Sequence, residues 1–290
     1  MTWLYTGLSP MQTFINNFLE TAFAKFKQYQ SANRLLCELK DLDFQAGHSP
    51  CYSNKWVQSL YLMRYFYAYF TEYYCLYFLT LPQLDSEPKV LSIGCGCGVD
   101  GAALYFASPS SNFQYTGYDI VDWELKATNF LPTIRGNIVI NLNDIATTTF
   151  PQSNVLMFPK SLSDIGDSVF TSFVNNLSAD FFENKIIILS SIMAEGSGYD
   201  VDRMKIIVKK MESFGYKLIN GDIDPIAFQD PKACCKYIDA TCPDKIKDFI
   251  GNLKDQCETN NDDCSKCNIS RHPKLTTHSA RFQQLILERE

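Results

Sequence analysis

The chain has 290 residues, of which 46% are hydrophobic and 20% are charged. These proportions are ordinary for a globular protein, and the length suffices for a core that needs no disulfide support. The formal net charge of −6 excludes a global basic field of the kind that recruits long nucleic acid.

The N-terminal part of the chain is predicted to be helical. Apolar residues recur at helical spacing over residues 10–43, which indicates one or two helices. The aromatic segment 55–81 predicts a further, buried helix, because Arg64 and Glu72 lie well inside it and argue against a membrane span. No basic flank followed by an apolar block begins the sequence, so we expect a cytoplasmic protein without a secretory signal.

Beyond residue 84 the pattern changes to alternating strands and helices, which specifies a doubly wound, mostly parallel sheet. Short apolar runs predict strands at 89–93, 113–120, 137–145, 153–161, 184–193, 216–223 and 279–290. Helices are predicted at 99–108, 122–131, 162–181 and 200–215. The chain therefore divides into a helical cap, 1–84, and a sheet domain, 85–290, with a cysteine-rich insertion at 227–278 before the last strand.

The stretch KVLSIGCGCGVDG, residues 89–101, joins the first predicted strand to the first predicted helix of the sheet domain. Gly94, Gly96 and Gly98 let the backbone approach a ligand closely, and the helix N-terminus offers N–H groups to a phosphate or a carboxylate. Asp119 ends the following strand, where a carboxylate can accept both hydroxyls of a ribose. The pattern predicts a nucleotide-type site, the alternative being a tight turn followed by a helix cap.

The glycine pattern admits two nucleotide chemistries. GCGVDG, residues 96–101, satisfies the GxGxxG pattern of a dinucleotide dehydrogenase, but Gly94 and Cys95 separate that pattern from the strand end. The dehydrogenase alternative stays open. No GKS or GKT occurs in the sequence, which excludes ATP or GTP hydrolysis on a P-loop.

The sequences VLSIGCGCGVDGAALYFA, YTGYDIVDW and NDI together resemble the cofactor half of the class I S-adenosylmethionine-dependent methyltransferases. The resemblance implies a Rossmann-like fold with an antiparallel seventh strand and covers roughly residues 85–225 and 280–290. It implies that the glycine backbone lies against the methionine part of the cofactor and that Asp119 binds the ribose. The cofactor-binding residues so implied are Ser92, Gly94, Cys95, Gly96, Gly98, Asp119, Ile120, Asp144 and Ile145. Family members often carry an acid where this chain has Ser92.

The fourth predicted strand ends in MFPKS, where the family places catalytic or substrate-orienting residues. Phe158 could stack on a flat substrate, Pro159 would fix the turn and Lys160 could pair with an anion. Ser161 could hydrogen-bond a substrate or cap the following helix. The motif typical of amino-methylating members is absent, so methylation of a base nitrogen does not carry over.

The chain has 11 cysteines, six of them in the insertion. Cys95 and Cys97 are separated by one residue in a glycine turn, which suits small side chains better than zinc. The C-x-x-C pair in the insertion has zinc-site spacing, and a structural zinc would supply folding energy to a polar loop. Unligated thiols are the alternative. The candidate ligands are Cys234, Cys235, Cys242, Cys257, Cys264 and Cys267.

Together these features predict S-adenosylmethionine-dependent methyl transfer to a small or planar acceptor rather than to nucleic acid. The alternatives are an NAD(P)-dependent oxidoreductase and a Rossmann-like binding protein without turnover. The N-terminal helices and the insertion both flank the ligand edge of the predicted sheet, so we expect them to form the substrate pocket, with tyrosines and phenylalanines of 60–78 lining it.

Overall fold

The computed structural model describes residues 9–32, 36–39, 42, 52–108, 112–133, 135–192, 197–227, 238, 240–253, 257 and 281–289. The helices are α1 (Pro10–Ser31), α2 (Lys55–Thr80), α3 (Val99–Ala107), α4 (Asp167–Asn176), α5 (Ser197–Ser213) and α6 (Asp244–Gly251). The strands are β1 (Lys89–Ile93), β2 (Gln114–Asp119), β3 (Asn137–Leu142), β4 (Ser153–Pro159), β5 (Phe182–Ile192), β6 (Tyr216–Ala227) and β7 (Arg281–Arg289).

The seven strands form one sheet in the order β3-β2-β1-β4-β5-β7-β6. β1 pairs in parallel with β2 and β4, and β7 runs antiparallel to both β5 and β6. The strand order reverses between β1 and β4, and in open α/β sheets ligands bind at the carboxyl ends of the strands at such a point. The fold is the predicted one, the Rossmann-like fold of class I methyltransferases with its antiparallel seventh strand.

The two faces of the sheet are covered by different helices, as the continuous apolar strands predict. Val90 of β1 belongs to the core shared with α1, α2 and α3, whereas its neighbour Leu91 belongs to the core shared with α4 and α5. The predicted helical cap therefore shares one hydrophobic core with the sheet. A separate domain at 1–84 stays a prediction.

Two predicted helices are shorter in the structure. The segment 122–131 contains only a 3-10 turn, Ala127–Phe130, and Leu131 is extended because Pro132 follows it. The predicted helix 162–181 is reduced to α4, whose N-cap position is Gly166. Ser161 therefore caps no helix, and that expectation was wrong. Among the described residues, no helix combines the length and hydropathy of a membrane-spanning segment.

Candidate functional site

The glycine turn between β1 and α3 is held in a conformation that glycine favours. Gly94 has φ +70° and Gly96 has φ +57°, and the N–H of Gly94 donates to the Tyr118 carbonyl at 2.8 Å. A Cβ on Gly94 would lie 2.4 Å from the Cβ of Ser161, whereas a Cβ on Gly96 would meet nothing closer than 3.9 Å. The turn therefore packs against the end of β4 at Gly94 and leaves open space beside Gly96.

Asp119, the last residue of β2, clamps this turn. Its Oδ2 accepts the backbone N–H of Gly96 at 2.7 Å, and its Oδ1 accepts that of Val121 at 2.8 Å. Partial burial raises the pKa of the Asp119 carboxyl above its ordinary value, while these hydrogen bonds act in the opposite direction. Each carboxylate oxygen keeps a further lone pair with which it can accept a ligand hydroxyl.

A cavity of about 470 Å³ opens directly over the glycine turn. That volume lies in the range of small-molecule sites. The cavity is bounded by the ends of β1, β2 and β4, by the loops that follow β2, β3 and β4, and by three tyrosines. Its lining residues are Tyr52, Tyr61, Tyr69, Ile93, Gly94, Gly96, Tyr118, Asp119, Ile120, Val121, Trp123, Asn143, Asp144, Ile145, Pro159, Lys160, Ser161, Asp164, Ile165, Gly166 and Val169.

Most of the cofactor-binding residues inferred from the sequence come together in this cavity. Those that line it are Gly94, Gly96, Asp119, Ile120, Asp144 and Ile145. Asp144 uses its Oδ1 to accept the backbone N–H of Ala146 at 2.9 Å, and its side chain remains exposed. The acid and the isoleucine predicted on β2 and the pair predicted after β3 therefore face one space.

Three of the inferred cofactor residues, Ser92, Cys95 and Gly98, do not line the cavity. Ser92 is fully buried and bonded to Asp100, and Gly98 is the N-cap residue of α3 with φ +79°. The Cys95 side chain is buried with its Sγ beside Gly117, where burial raises the pKa of the thiol and keeps it neutral. These residues support the turn from the protein interior and do not face the cavity.

A buried carboxylate, that of Asp100, lies below the turn. The sequence pattern identified this residue only as part of the start of a helix. Asp100 accepts hydrogen bonds from Ser92 Oγ at 2.7 Å and from the Tyr115 hydroxyl at 2.8 Å, with the Tyr77 hydroxyl at 3.4 Å. Burial raises the pKa of Asp100 to about 6, although the hydrogen bonds from Ser92 and Tyr115 lower it. The carboxylate joins β1, β2 and α2 to the first turn of α3.

Asp100 predicts a specific pH dependence of stability. Because its folded-state pKa is raised to about 6, the folded protein binds this proton more tightly than the unfolded chain, and its ionisation lowers stability as the pH rises from about 4 to 6. Asp100→Asn should therefore gain roughly 3 kcal/mol relative to the wild type between pH 4 and pH 7. Urea unfolding of both proteins across this range measures the difference. The exposed Asp202→Asn is the control, and a pH-independent difference for Asp100→Asn would contradict the prediction.

The end of β4 carries an ion pair that reaches into the cavity. Lys160 Nζ lies 2.8 Å from Glu72 Oε1, and their side chains are only 9% and 0% exposed. The Ser191 hydroxyl donates to the same carboxylate oxygen. Lys160 has φ +56°, and among the described residues no other non-glycine residue has a positive φ. Its backbone N–H donates to the Phe158 and Ser191 carbonyls at 3.0 and 3.1 Å, which fix this conformation.

The other residues predicted at the end of β4 have different positions. Pro159 and Ser161 line the cavity, but the Ser161 hydroxyl already donates to the Ile93 carbonyl and ties β4 to β1. Phe158 is fully buried, with its ring edge-on to Phe173 at 6.1 Å. Stacking of Phe158 on a substrate was therefore a wrong expectation, because side chains alternate along a strand and this one points into the core.

One wall of the cavity is aromatic, as the sequence of α2 predicts. Tyr61 and Tyr69 lie two helical turns apart on α2, and Tyr52 precedes the helix. The Tyr61 ring centroid lies 5.3 Å from that of Tyr52 and 5.6 Å from that of Trp123. Burial raises the pKa of Tyr52, Tyr61 and Tyr69, so all three present neutral hydroxyl groups. Phenylalanines on the opposite face of α2, such as Phe66, pack against α1 instead.

The structure describes only two of the candidate zinc ligands. Cys242 is buried, which raises the pKa of its thiol to about 11. Cys257 Sγ lies 3.1 Å from Cys37 Sγ, a neighbour that the spacing pattern did not suggest. The other candidates lie outside the described residues, namely Cys234, Cys235, Cys264 and Cys267. Within the described part of the chain no metal-binding cluster of three or more side chains occurs, and structural zinc stays a prediction.

The sheet order, the glycine turn and the acid at the end of β2 define the class I methyltransferase type of Rossmann-like fold. Solved structures with a similar fold include an S-adenosylmethionine-dependent methyltransferase from Thiobacillus denitrificans in complex with S-adenosylhomocysteine, 14% identical over 76% of this chain and 91% of that one, with a TM-score of 0.40. A TehB-like methyltransferase from Corynebacterium glutamicum is 12% identical over 92% of this chain and 99% of that one, with a TM-score of 0.40.

The ribosomal protein L11 methylase from Lactobacillus delbrueckii subsp. bulgaricus is a further example, 12% identical over 52% of this chain and 71% of that one, with a TM-score of 0.35. At such identities and TM-scores these likenesses carry no argument, and the fold of this chain is established by its own sheet order. No protein-family model matches the sequence, and no curated protein matches it significantly.

Proposed function

We propose that the protein is an S-adenosylmethionine-dependent methyltransferase that acts on a small-molecule acceptor. The observation that carries this proposal is the joint position of Gly96, Asp119, Ile120 and Ile145 on one cavity of about 470 Å³. The open space beside Gly96, where a Cβ would meet nothing closer than 3.9 Å, fits a ligand lying on the backbone. The residues present therefore fit this cofactor.

In this proposal one side of the cavity binds the cofactor and the other side binds the acceptor. On the β2 and β3 side, Asp119 can accept the ribose hydroxyls through its remaining lone pairs, and Ile120 and Ile145 offer apolar surface to an adenine ring. The glycine backbone leaves room for the methionine part. Bound there, S-adenosylmethionine supplies a methyl group on a sulfonium.

The β4 side and the tyrosine wall face the space that remains for the acceptor. Methyl transfer from a sulfonium depends mainly on alignment and on exclusion of water, which a walled cavity provides. Lys160 is the one basic residue among the described residues that line the cavity, which supports a small acceptor rather than a nucleic acid strand. Lys160 and Pro159 are the lining residues that we assign to the acceptor side at the end of β4.

Calorimetric titration of the purified protein with S-adenosylhomocysteine and, separately, with NADH tests the proposal. We expect S-adenosylhomocysteine to bind and NADH not to bind. Binding of NADH alone would favour the oxidoreductase that the overlapping GxGxxG pattern permits. Binding of S-adenosylhomocysteine without transfer of labelled methyl groups to any pool of acceptors would favour a binding protein without turnover.

A further inference from the structure

We propose that the acceptor is a planar molecule with an acidic hydroxyl, such as a phenol or an enol, whose oxygen binds the ammonium group of Lys160. This inference rests on the proposed methyltransferase function and adds the substrate class. It follows from the hydrogen-bonding capacity of Lys160, from the aromatic wall beside it and from the charge state that each kind of acceptor needs.

The Lys160 ammonium has one donor to spare. Its Nζ donates to Glu72 Oε1 at 2.8 Å and, more weakly, to the Ile192 carbonyl at 3.4 Å. An ammonium group has three N–H donors, so the third has no acceptor among the described residues. Since Lys160 lines the cavity and its side chain is 9% exposed, that donor is available to a ligand. The fixed backbone at Lys160 and the Glu72 carboxylate hold the ammonium in place.

A flat ring fits the space beside this ammonium. Tyr69 lies next to it, with Lys160 Nζ 5.2 Å from the ring centroid, and Tyr52 and Tyr61 continue the wall toward the glycine turn. Aromatic side chains hold planar ligands by offset stacking or edge contacts. A ring placed against this wall can turn a substituent oxygen toward Lys160.

The charge of the reacting group decides whether Lys160 favours an oxygen acceptor or an amine acceptor. An amine reacts only after its ammonium form has lost a proton, and beside Lys160 that form would be repelled. A phenol reacts as the phenolate, the form that a nearby ammonium stabilises. The neutral tyrosine hydroxyls offer no base, and in the step proposed here the phenolic proton leaves to solvent. The oxygen then bonds the methyl carbon while the carbon–sulfur bond breaks and its electron pair leaves on sulfur.

One lining residue favours the opposite class of acceptor. Asp164 lies exposed at the edge of the cavity, where its carboxylate would attract an amine. The titratable groups around Lys160 are Glu72 and Tyr69 on α2, Asp164 after β4 and Asp200 on α5. Of these acids, Glu72 contacts the ammonium and Asp164 lines the cavity. The test therefore needs one variant of the Glu72–Lys160 pair and one variant of Asp164.

The test is spectroscopic and needs no turnover. 4-Nitrophenol is titrated with the full-length protein, and the visible absorbance of its phenolate gives the pKa of the bound phenol. We expect the wild type to lower that pKa by roughly one unit or more, the effect of an opposite charge at hydrogen-bond distance. Glu72→Gln/Lys160→Met, which removes both members of the ion pair, should abolish the shift. Asp202→Asn/Lys205→Met, which removes an exposed ion pair and likewise leaves the net charge unchanged, should keep it.

A second titration tests the competing class of acceptor. It uses protonated 4-nitrobenzylamine with the wild type and with Asp164→Asn. Tighter binding of 4-nitrobenzylamine than of 4-nitrophenol, with loss of that binding in Asp164→Asn, would overturn the proposal. An unchanged shift in the double variant would also overturn it. Calorimetry with S-adenosylhomocysteine on the same samples separates the two proposals, because cofactor binding without a phenol shift refutes only the substrate class.

Discussion

Lys160→Met is expected to lower the free energy of unfolding by about 3–5 kcal/mol, the usual cost of leaving one member of a buried ion pair without its partner. The Glu72 side chain is fully buried, and its Oε2 has no hydrogen-bond partner among the described residues. Removal of the ammonium leaves the Ser191 hydroxyl as the carboxylate's hydrogen-bond partner among the described residues. Urea unfolding at pH 7 measures the loss.

Two matched variants show whether burial is the cause. Lys89→Met breaks a pair of almost the same length, 2.7 Å to Glu183, in which the side chains are 31% and 23% exposed. That variant should cost about 1 kcal/mol or less. Glu72→Gln/Lys160→Met should recover most of the loss, since no charge is left buried. Equal costs for Lys160→Met and Lys89→Met would mean that water reaches Glu72.

The sequence predicts the sheet and the ligand edge because both depend on local patterns. Alternating apolar runs and glycine turns place Gly96, Asp119 and Asp144 at strand ends, and the topology brings those ends together. The structure confirms the fold and places these residues on one cavity. Their binding roles stay proposals.

The partner of Lys160 could not be read from the sequence, because 88 residues separate Glu72 from Lys160. From the sequence, the position of Glu72 inside α2 indicated only that this helix does not span a membrane. Its position on α2 brings it to the sheet through the packing of α2 against the strands, which no local pattern encodes. Asp100 was missed for the same reason, since its partners Tyr77 and Tyr115 come from other elements.

The error at Phe158 has a different origin. The sequence predicts a strand over 153–161 and β4 extends to Pro159, so Phe158 lies within the strand in both. The expected stacking role nevertheless treated it as a residue of the following loop. Because successive side chains of a strand point to opposite faces, Phe158 enters the core. The left-handed backbone of Lys160, with φ +56°, begins the loop that returns to the cavity. The face of the strand to which a side chain points thus decides whether it can meet the ligand.

Asp119→Asn should weaken binding of S-adenosylhomocysteine by roughly 10- to 100-fold, the effect of losing hydrogen bonds to a charged group. In the wild type both carboxylate oxygens accept backbone N–H groups, from Gly96 at 2.7 Å and from Val121 at 2.8 Å. An asparagine has one acceptor oxygen, so its amide nitrogen would face one of these N–H groups. The glycine turn would lose one of the two hydrogen bonds that hold it, and a bound ribose would lose a charged hydrogen-bond acceptor. Calorimetry measures the affinity.

The neighbouring Asp122→Asn is the matched control, because it removes the same charge from a side chain that is 70% exposed. We expect its affinity for S-adenosylhomocysteine to stay within about twofold of the wild type, since exposed charges near a site contribute little. Thermal unfolding of each variant distinguishes lost affinity from lost folding. If Asp119→Asn remains folded and binds S-adenosylhomocysteine as tightly as Asp122→Asn, the carboxylate serves only to close the turn, and the ribose contact that we propose for it is wrong.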